Sequence, residues 1–255
     1  MGEYCEMNNV TAFAEIDRLK NRLDNLRPLP ENTVRTLHEQ QVLEWTYHSN
    51  AIEGNTLTLK ETKVVLEGIT IGGKSLREHF EVINHKEAID YVEAIVQGLD
   101  GLSEWQIKSI HHLVLKNIDS KNAGIYRQEN VVIAGAEHLP PHFLKVPEAM
   151  TALIDGYQKT GQVHPVECAA RLHVDFVGIH PFVDGNGRTS RLLMNFDLMR
   201  RGYLPVIISV EQRLPYYEAL DTAHTHGDYA PFIGLVADLE QATLKRYLRV
   251  ILGDA

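Results

Sequence analysis

Apolar side chains recur at helical spacing along most of this chain. Between residues 33 and 53, Val34, Leu37 and Trp45 are among the apolar residues with this spacing, and Gly54 follows directly. Apolar residues with a period near 3.6 predict an amphipathic helix, and a glycine just beyond the last periodic residue is typical of a helix end. The pattern therefore predicts a first strong helix over residues 33–53.

Pairs of capping residues mark where the next helices begin. Thr58 stands three residues before Glu61, and Ser75 stands three residues before Glu78. In such a capping box, the two side chains accept hydrogen bonds from backbone N–H groups at the helix start. These and later signals predict helices over residues 58–67, 75–97, 103–117, 147–160, 165–179, 188–201, 211–225 and 230–252.

Residues 118–146 lack the helical pattern. Here a β-branched run, Val131–Ile133, is followed by Gly135 and then by two adjacent prolines. This composition predicts a short β-hairpin, or flap, near Val131–His138, which is the only strand structure we expect. The predicted fold class is all-α, a helical bundle of about eight or more helices with one small β-hairpin flap.

The length and composition are those of a globular protein. Apolar residues make up 44% of the 255 residues and charged residues 23%, which is ordinary for a folded domain. We divide the chain into an N-terminal segment (1–31), a helical region (32–98) and a core with the C-terminal helices (99–255) that forms one compact unit. The two cysteines, Cys5 and Cys168, form no C-x-x-C pattern, so no zinc ribbon is predicted.

Charge and hydropathy narrow the classes of partner. The formal net charge of −9 is unfavourable for binding a nucleic-acid backbone. The N-terminus lacks the basic and apolar regions of a signal peptide. The longest apolar run, Tyr203–Val210, is too short to span a bilayer. We therefore expect a cytoplasmic protein that binds neither nucleic acid nor membrane.

Candidate chemistry is concentrated in residues 180–191, which read HPFVDGNGRTSR. Helical geometry is disfavoured for the residue before a proline, so the helix before Pro181 must end near Ile179. His180 therefore lies at the end of this helix, where a tight loop begins. Gly185 and Gly187 allow a sharp turn, and a helix follows directly. A glycine-rich turn that leads into a helix N-terminus is an anion-binding arrangement.

The charged residues of this segment indicate which anion it binds. Arg188 and Arg191 are three residues apart and share one helix face. Two guanidinium groups beside an anion site suit a polyphosphate. Asp184 supplies the kind of oxygen ligand that Mg²⁺ uses when it bridges phosphates. His180 is the group here that can take a proton near neutral pH.

This segment resembles the signature of the Fic family, H-P-F-x-[D/E]-G-N-G-R-x-x-R, and matches every specified position. The resemblance covers roughly residues 32–252. It implies the Fic fold and a protein adenylyltransferase that transfers AMP from ATP to a Ser, Thr or Tyr hydroxyl of a target protein, with possible modification of itself.

The resemblance also implies a role for each motif residue. His180 would be the general base that takes the proton of the target hydroxyl. Asp184 would hold Mg²⁺, Arg188 the β-phosphate and Arg191 the γ-phosphate, while Phe182 would attach the loop to the core. The motif residues that would contact ATP are Asp184, Gly185, Asn186, Gly187, Arg188, Thr189, Ser190 and Arg191.

A second motif, residues 49–54, reads SNAIEG and resembles the Fic inhibitory motif [S/T]-x-x-x-E-[G/N]. Its fixed positions are Ser49, Glu53 and Gly54. The resemblance implies that Glu53 pairs with Arg191 and removes the clamp for the γ-phosphate, so that ATP binds in an unproductive pose. We also hypothesise that Glu53 positions water to remove AMP from a modified target.

Three further regions are assigned by the same resemblance. The flap would place the target beside the active site, and its residues nearest to the nucleotide would be Ile133, Ala134, Gly135 and Ala136. An adenine pocket would be lined by Tyr216, Tyr217 and His224, the last at a position where related proteins often have Asn. Leu76 falls where relatives form a homodimer contact, so a homodimer is expected.

Other functions compete with this interpretation. The 13 histidines, including His173, allow a metal-dependent hydrolase, although no H-E-x-x-H occurs. A binding module without activity is opposed by the complete set of motif side chains. A Fic-fold enzyme that transfers phosphate or phosphocholine is also possible. Gly185 and Gly187 depart from the Ala and Lys-Arg pattern of the related Doc kinases, which favours transfer of AMP.

Overall fold

The computed structural model describes residues 2–98, 101–159, 161 and 163–253, with side chains from residue 11 onwards. Within these ranges all regular structure is helical, and no strand is formed. The all-α prediction is therefore confirmed. The helices are α1 Gly2–Asp24, α2 Glu31–Ile52, α3 Leu59–Leu66, α4 Leu76–Val96, α5 Glu104–Leu115, α6 Val146–Gln158, α7 Pro165–Ile179, α8 Asn186–Arg200, α9 Arg213–His226 and α10 Ala230–Leu252.

The capping residues act as the sequence predicts. At the start of α3, the Glu61 backbone N–H donates to Thr58 Oγ1 at 3.2 Å, and the Thr58 N–H donates to Glu61 Oε2 at 2.8 Å. Ser75 and Glu78 make the equivalent pair of bonds at the start of α4. Each box satisfies backbone donors that a helix start would otherwise leave unpaired.

The first helix was not predicted. α1 runs through the segment that we assigned no secondary structure, and it packs along α10. Its buried residues Ile16, Leu19 and Leu23 follow the helical spacing of three and four. The division of the chain into three segments stays a prediction.

The predicted β-hairpin is wrong. Described residues 116–142 form turns and irregular backbone, and the Ala136 N–H donates to the Ile133 carbonyl in a turn at 3.2 Å. Val132 is 77% exposed. Among the described residues, no backbone ladder pairs the β-branched run with another segment, and a strand requires such a partner. Hydrogen bonds from the Arg127 guanidinium to the carbonyls of Glu129 and Pro141 hold the loop instead.

The centre of the molecule is the pair α7 and α8, which pack against each other and contact most of the remaining helices. α8 is buried along most of its length. The short connection between these two helices carries the segment HPFVDG. No helix in the described part of the chain is long and apolar enough to cross a membrane.

Candidate active site

His180 lies at the C-terminal end of α7. Its backbone adopts the left-handed region, with φ +48°, which is uncommon for a residue other than glycine. The His180 N–H donates to the Phe176 carbonyl at 3.1 Å, and its own carbonyl accepts from Arg127 Nε at 2.9 Å. These bonds hold the backbone of His180 where the chain leaves the helix and the loop begins.

The surroundings of His180 set its protonation state. Burial lowers the pKa of His180 to about 4, and the Val177 carbonyl acts in the opposite direction. Desolvation disfavours a charged imidazole. The ring is therefore neutral at physiological pH and can accept a proton.

The loop after His180 is anchored through Phe182 and Asn186. The Phe182 N–H donates to Asn186 Oδ1 at 3.0 Å, and Asn186 Nδ2 donates to the Phe182 carbonyl at 2.9 Å. The Phe182 ring is fully buried and stacks on His111, with centroids 3.5 Å apart. Phe182 thus attaches the loop to the core, as expected, whereas the Asn186 side chain closes the loop on itself.

His111 is a site residue that the sequence interpretation missed. The Gly124 N–H donates to His111 Nδ1 at 2.9 Å, so the ring proton lies on Nε2, which donates to the Asp184 carbonyl at 2.8 Å. Burial lowers the pKa of His111 to about 4 and keeps it in this neutral form. No local pattern in the sequence shows the contact of His111 with the loop.

The anion-binding loop ends at the N-terminus of α8. Gly185 is the N-cap residue with φ +79°, and it leaves the first turn of this helix without a side-chain cap in the described structure. A β-carbon on Gly185 would lie 3.3 Å from both His111 Nε2 and Val114 Cγ1. Glycine is thus required both for its backbone conformation and for space. The uncapped N–H groups are the donors that the predicted anion site requires.

Asp184 is held by groups on both of its oxygens. Oδ1 accepts from the Gly185 N–H at 2.6 Å and from Arg188 Nη2 at 3.4 Å, while Oδ2 accepts from Arg77 Nη2 at 2.7 Å. Burial alone would raise the pKa of Asp184, but Arg188, the Gly185 N–H and Arg77 together lower it. An ionised, half-exposed carboxylate is a suitable oxygen ligand for Mg²⁺.

Arg188 is almost fully buried, with 2% exposure. Its Nη1 lies 3.7 Å from Glu81 Oε1. Neither Nε nor Nη1 has a hydrogen-bond partner among the described residues. Buried donors without partners are costly, and phosphate oxygens would satisfy them. This observation fits the donor set to a polyphosphate.

Arg191 is occupied by α2. Its Nε donates to Ser49 Oγ at 3.0 Å, and its Nη2 donates to the Ser49 carbonyl at 2.7 Å and to Glu53 Oε1 at 2.8 Å. Nη1 donates to the Tyr216 hydroxyl at 3.3 Å. All three guanidinium nitrogens therefore have protein partners, and the contact between Glu53 and Arg191 that the motif implies is present.

The Glu53 carboxylate lies beside Gly187. A β-carbon on Gly187 would collide with Glu53 Oε1. The carboxylate of the inhibitory motif thus lies directly against the first turn of α8, at the place where the helix N-terminus would attract a phosphate. Glu53 itself ends α2, followed by Gly54 with φ +97°.

The remaining predicted residues are arranged around this centre. Tyr216 is buried in the core, and its hydroxyl lies 3.2 Å from His173 Nε2. The Tyr217 hydroxyl donates to the Ile52 carbonyl at 3.4 Å. His224 Nε2 donates to the Val174 carbonyl at 2.8 Å. Thr189 is buried, and the Ser190 Oγ donates to the Gly187 carbonyl. Residues 133–136 lie in the irregular loop. Leu76 is 69% exposed at the start of α4.

The flap loop reaches this region through a histidine. His138 Nε2 donates to the Gly178 carbonyl at 2.8 Å, and its ring centroid lies 4.6 Å from that of His224.

Among the residues that the structure describes, no group of three or more His, Cys, Asp or Glu side chains is placed to hold a metal ion. His173 is buried against Phe232 and Ser190.

Fold and site together define a helical protein with an anion-binding loop between two central helices. The Fic/DOC family matches residues 101–198. The crystal structure of a Fic domain containing signaling protein from Bacteroides thetaiotaomicron superposes on this chain with a TM-score of 0.87. The two sequences are 30% identical, and the match covers 94% of this chain and 98% of that chain. Fic-1 from C. elegans is 32% identical, with a TM-score of 0.91, over 100% of this chain and 76% of that chain. The chain belongs to the Fic family.

Sequence relatives agree with this assignment. A protein of Nematostella vectensis named Protein adenylyltransferase Fic is 39% identical over 239 residues, which are 91% of this chain and 55% of that protein. The protein of the same name from Drosophila melanogaster is 38% identical over 243 residues, 91% of this chain and 48% of its own length. The chain spans about half the length of the curated relatives it matches.

Proposed function

We propose that this protein is a protein adenylyltransferase that transfers AMP from ATP to a hydroxyl side chain of a target protein. The observation that carries the proposal is that one loop brings together a neutral His180, an α8 N-terminus without a side-chain cap, and a buried Arg188 whose Nε and Nη1 have no hydrogen-bond partner among the described residues. A general base and an anion site that share one loop suit transfer to a hydroxyl group. The names of the relatives at 38–39% identity support this activity.

Each side chain has a defined part in the proposed transfer. The target hydroxyl oxygen attacks the α-phosphorus of ATP, the bond to pyrophosphate breaks, and His180 takes the hydroxyl proton. Arg188 and the first N–H groups of α8 bind phosphate oxygens, which orients the α-phosphorus and stabilises the developing charge. Asp184 would hold Mg²⁺, which neutralises phosphate charge when it is bound.

We further propose that Glu53 inhibits the enzyme. Its carboxylate binds Arg191 and lies against Gly187, so it occupies the end of the phosphate site and removes one cation from it. Arg191 is buried, and leaving its charge without a partner would be unfavourable. The carboxylate therefore leaves only when another anion replaces it.

The test compares two chemically matched variants. Glu53 and Glu67 both end a helix with similar backbone angles and both precede a glycine of positive φ. With α-labelled ATP, Mg²⁺ and cell lysate, we expect Glu53→Gly to label proteins at least about tenfold more than wild type, a change of about 1.4 kcal/mol. Glu67→Gly should equal wild type. Equal labelling by wild type and Glu53→Gly would refute the inhibition.

The transfer itself is tested in the activated background. Adding His180→Ala to Glu53→Gly should abolish labelling, while binding of ADP, measured by calorimetry, should change less than about threefold. The mass increment on the labelled protein identifies the group. An increment of phosphate or phosphocholine in place of AMP would overturn the proposed activity while leaving the fold assignment intact.

Removal of AMP by the same site is a separate hypothesis. Glu53 is near enough to the loop to orient a water molecule there. Protein labelled by Glu53→Gly and then purified should release AMP on incubation with wild type but not with Glu53→Ala. Release by neither protein would end the hypothesis. A homodimer through Leu76, self-modification and a cytoplasmic location stay predictions.

A further inference from the structure

Asp184 is part of a closed ring of four alternating charges. Arg77 Nη2 donates to Asp184 Oδ2 at 2.7 Å, and Arg77 Nε donates to Glu81 Oε1 at 3.1 Å. Arg188 completes the ring, with 3.4 Å from Nη2 to Asp184 Oδ1 and 3.7 Å from Nη1 to Glu81 Oε1. The negative charges of the two carboxylates balance the positive charges of the two guanidinium groups.

The two arginines in the ring differ in how easily they can move. Arg188 is 2% exposed and belongs to the anion-binding motif, whereas the Arg77 side chain is 57% exposed. Arg77 also lies in the first turn of α4, where the helix dipole disfavours a positive charge. The guanidinium of Arg77 is therefore held in place by its two carboxylate partners, Asp184 and Glu81. Breaking its exposed ion pair with Asp184 costs little free energy.

Arg77 occupies the oxygen of Asp184 that a cation would use. Oδ1 is directed into the loop by the Gly185 N–H and Arg188, and so contributes to the loop conformation. Oδ2 is bound by Arg77 alone among the described residues. Oδ2 is therefore the oxygen for which a divalent cation would compete with Arg77.

We infer that Arg77 competes with the divalent cation for Asp184 Oδ2 and so lowers the affinity of the site for the metal. The inference rests on the proposed function, in which Asp184 is the metal ligand. When a cation binds, the guanidinium leaves Oδ2 and remains attached to Glu81. Arg77 thereby lowers the affinity for the metal without contacting the reacting atoms.

Metal binding can be measured without catalysis. Mn²⁺ is titrated into the full chain at a fixed excess of ADP, which supplies the phosphate ligands, and the Mn²⁺ bound with the protein is quantified by electron paramagnetic resonance against the same titration without protein. Asp184→Asn identifies the component of binding that depends on this carboxylate. Arg35→Met is the matched control, because Arg35 is an exposed arginine that lies 3.8 Å from Glu39 on α2.

We expect Arg77→Met to bind Mn²⁺ about two- to fivefold more tightly than wild type at the site that depends on Asp184, as loss of an exposed ion pair predicts. Arg35→Met should stay within about twofold of wild type. Equal affinities of Arg77→Met and Arg35→Met, with binding lost in Asp184→Asn, would overturn this inference alone. Unchanged binding in Asp184→Asn would overturn the inference and also the metal-binding role of Asp184.

Discussion

At the residue scale, the decisive property is the charge state of His180. A solvated histidine would be partly protonated near neutral pH, but burial lowers the pKa of His180 to about 4. The pKa of Asp184 is lowered as well, by Arg188, the Gly185 N–H and Arg77 acting against burial. His180 and Asp184 are therefore both in the forms that the proposed transfer requires across the physiological range.

This gives a prediction for the pH profile. Transfer by Glu53→Gly requires neutral His180, so its single-turnover rate should be constant between about pH 6 and 8. The rate should fall as the pH drops towards about 4, where the imidazole becomes protonated. ADP binding and circular dichroism at each pH control for loss of substrate or of fold. A half-maximal rate near pH 6.5 would contradict the buried, neutral imidazole.

The residues of the motif could be predicted because they are consecutive, so that their loop and helix geometry follows from local sequence. Arg77 and His111 could not. They lie 107 and 73 residues from Asp184 along the chain, and only packing brings them to it. An exposed arginine and a buried histidine have no distinguishing local pattern, so neither signals a site before the fold is known.

At the scale of elements, α5 supports the loop between α7 and α8 through His111. This single ring stacks on Phe182, accepts from the Gly124 N–H and donates to the Asp184 carbonyl. It thus joins α5 to the loop by one hydrogen bond and a stacked pair, while its second hydrogen bond holds Gly124 in the segment after α5. Such an arrangement fixes the loop on a rigid element, as the proposed positioning of a phosphorus atom requires.

We predict that His111→Leu lowers the free energy of unfolding by about 2–4 kcal/mol, because two polar backbone groups lose their partner. It should also weaken ADP binding, since the loop loses its support. Urea unfolding and calorimetry measure the two effects. The neighbouring, exposed His112 is the control, and His112→Leu should change stability by less than about 0.5 kcal/mol. Similar effects of both substitutions would show that His111 has no special structural role.

Helices were predicted well and the flap was not, for a physical reason. Thr58 and Ser75 cap their own helices, so these starts are local properties of the sequence. The run Val131–Ile133 has a strand-like composition, but a strand exists only with a partner, which the sequence of one segment cannot supply. α1 was overlooked although Ile16 and Leu19 carry a helical spacing, and its burial depends on the distant α10.

At the scale of the whole molecule, buried or partly buried carboxyl groups on the first and last helices bind to distant parts of the chain. The Tyr203 hydroxyl donates to Asp17 Oδ1 on α1 at 2.5 Å, and His164 Nε2 lies 3.3 Å from the same oxygen. On α10, the fully buried Glu240 accepts from the Leu204 N–H through Oε1 at 3.1 Å, while its Oε2 has no hydrogen-bond partner in the described structure. Glu240 is not one of the candidate site residues, and its protonation affects the stability of the fold.

Glu240 makes the stability of the fold depend on pH. Burial raises the pKa of Glu240 from 4.5 to about 8, opposed by the Leu204 N–H and Lys20. Between these values the folded chain keeps a proton that the unfolded chain releases. Stability must therefore fall as the pH rises from about 4.5 to 8, by at most about 1.4 kcal/mol per pH unit, and then stay level with respect to this group.

Glu240→Gln removes the titration but keeps an acceptor for the Leu204 N–H, so its free energy of unfolding should exceed that of wild type, most clearly at pH 8. The difference should shrink as the pH is lowered to 5, where wild type is protonated in both states. Asp238→Asn, an exposed carboxylate change on the same helix, should follow the wild-type curve. Parallel curves for wild type and Glu240→Gln between pH 5 and 8, measured by urea unfolding, would mean that Glu240 is ionised in the folded protein, and that α10 admits the water or cation that such a charge requires.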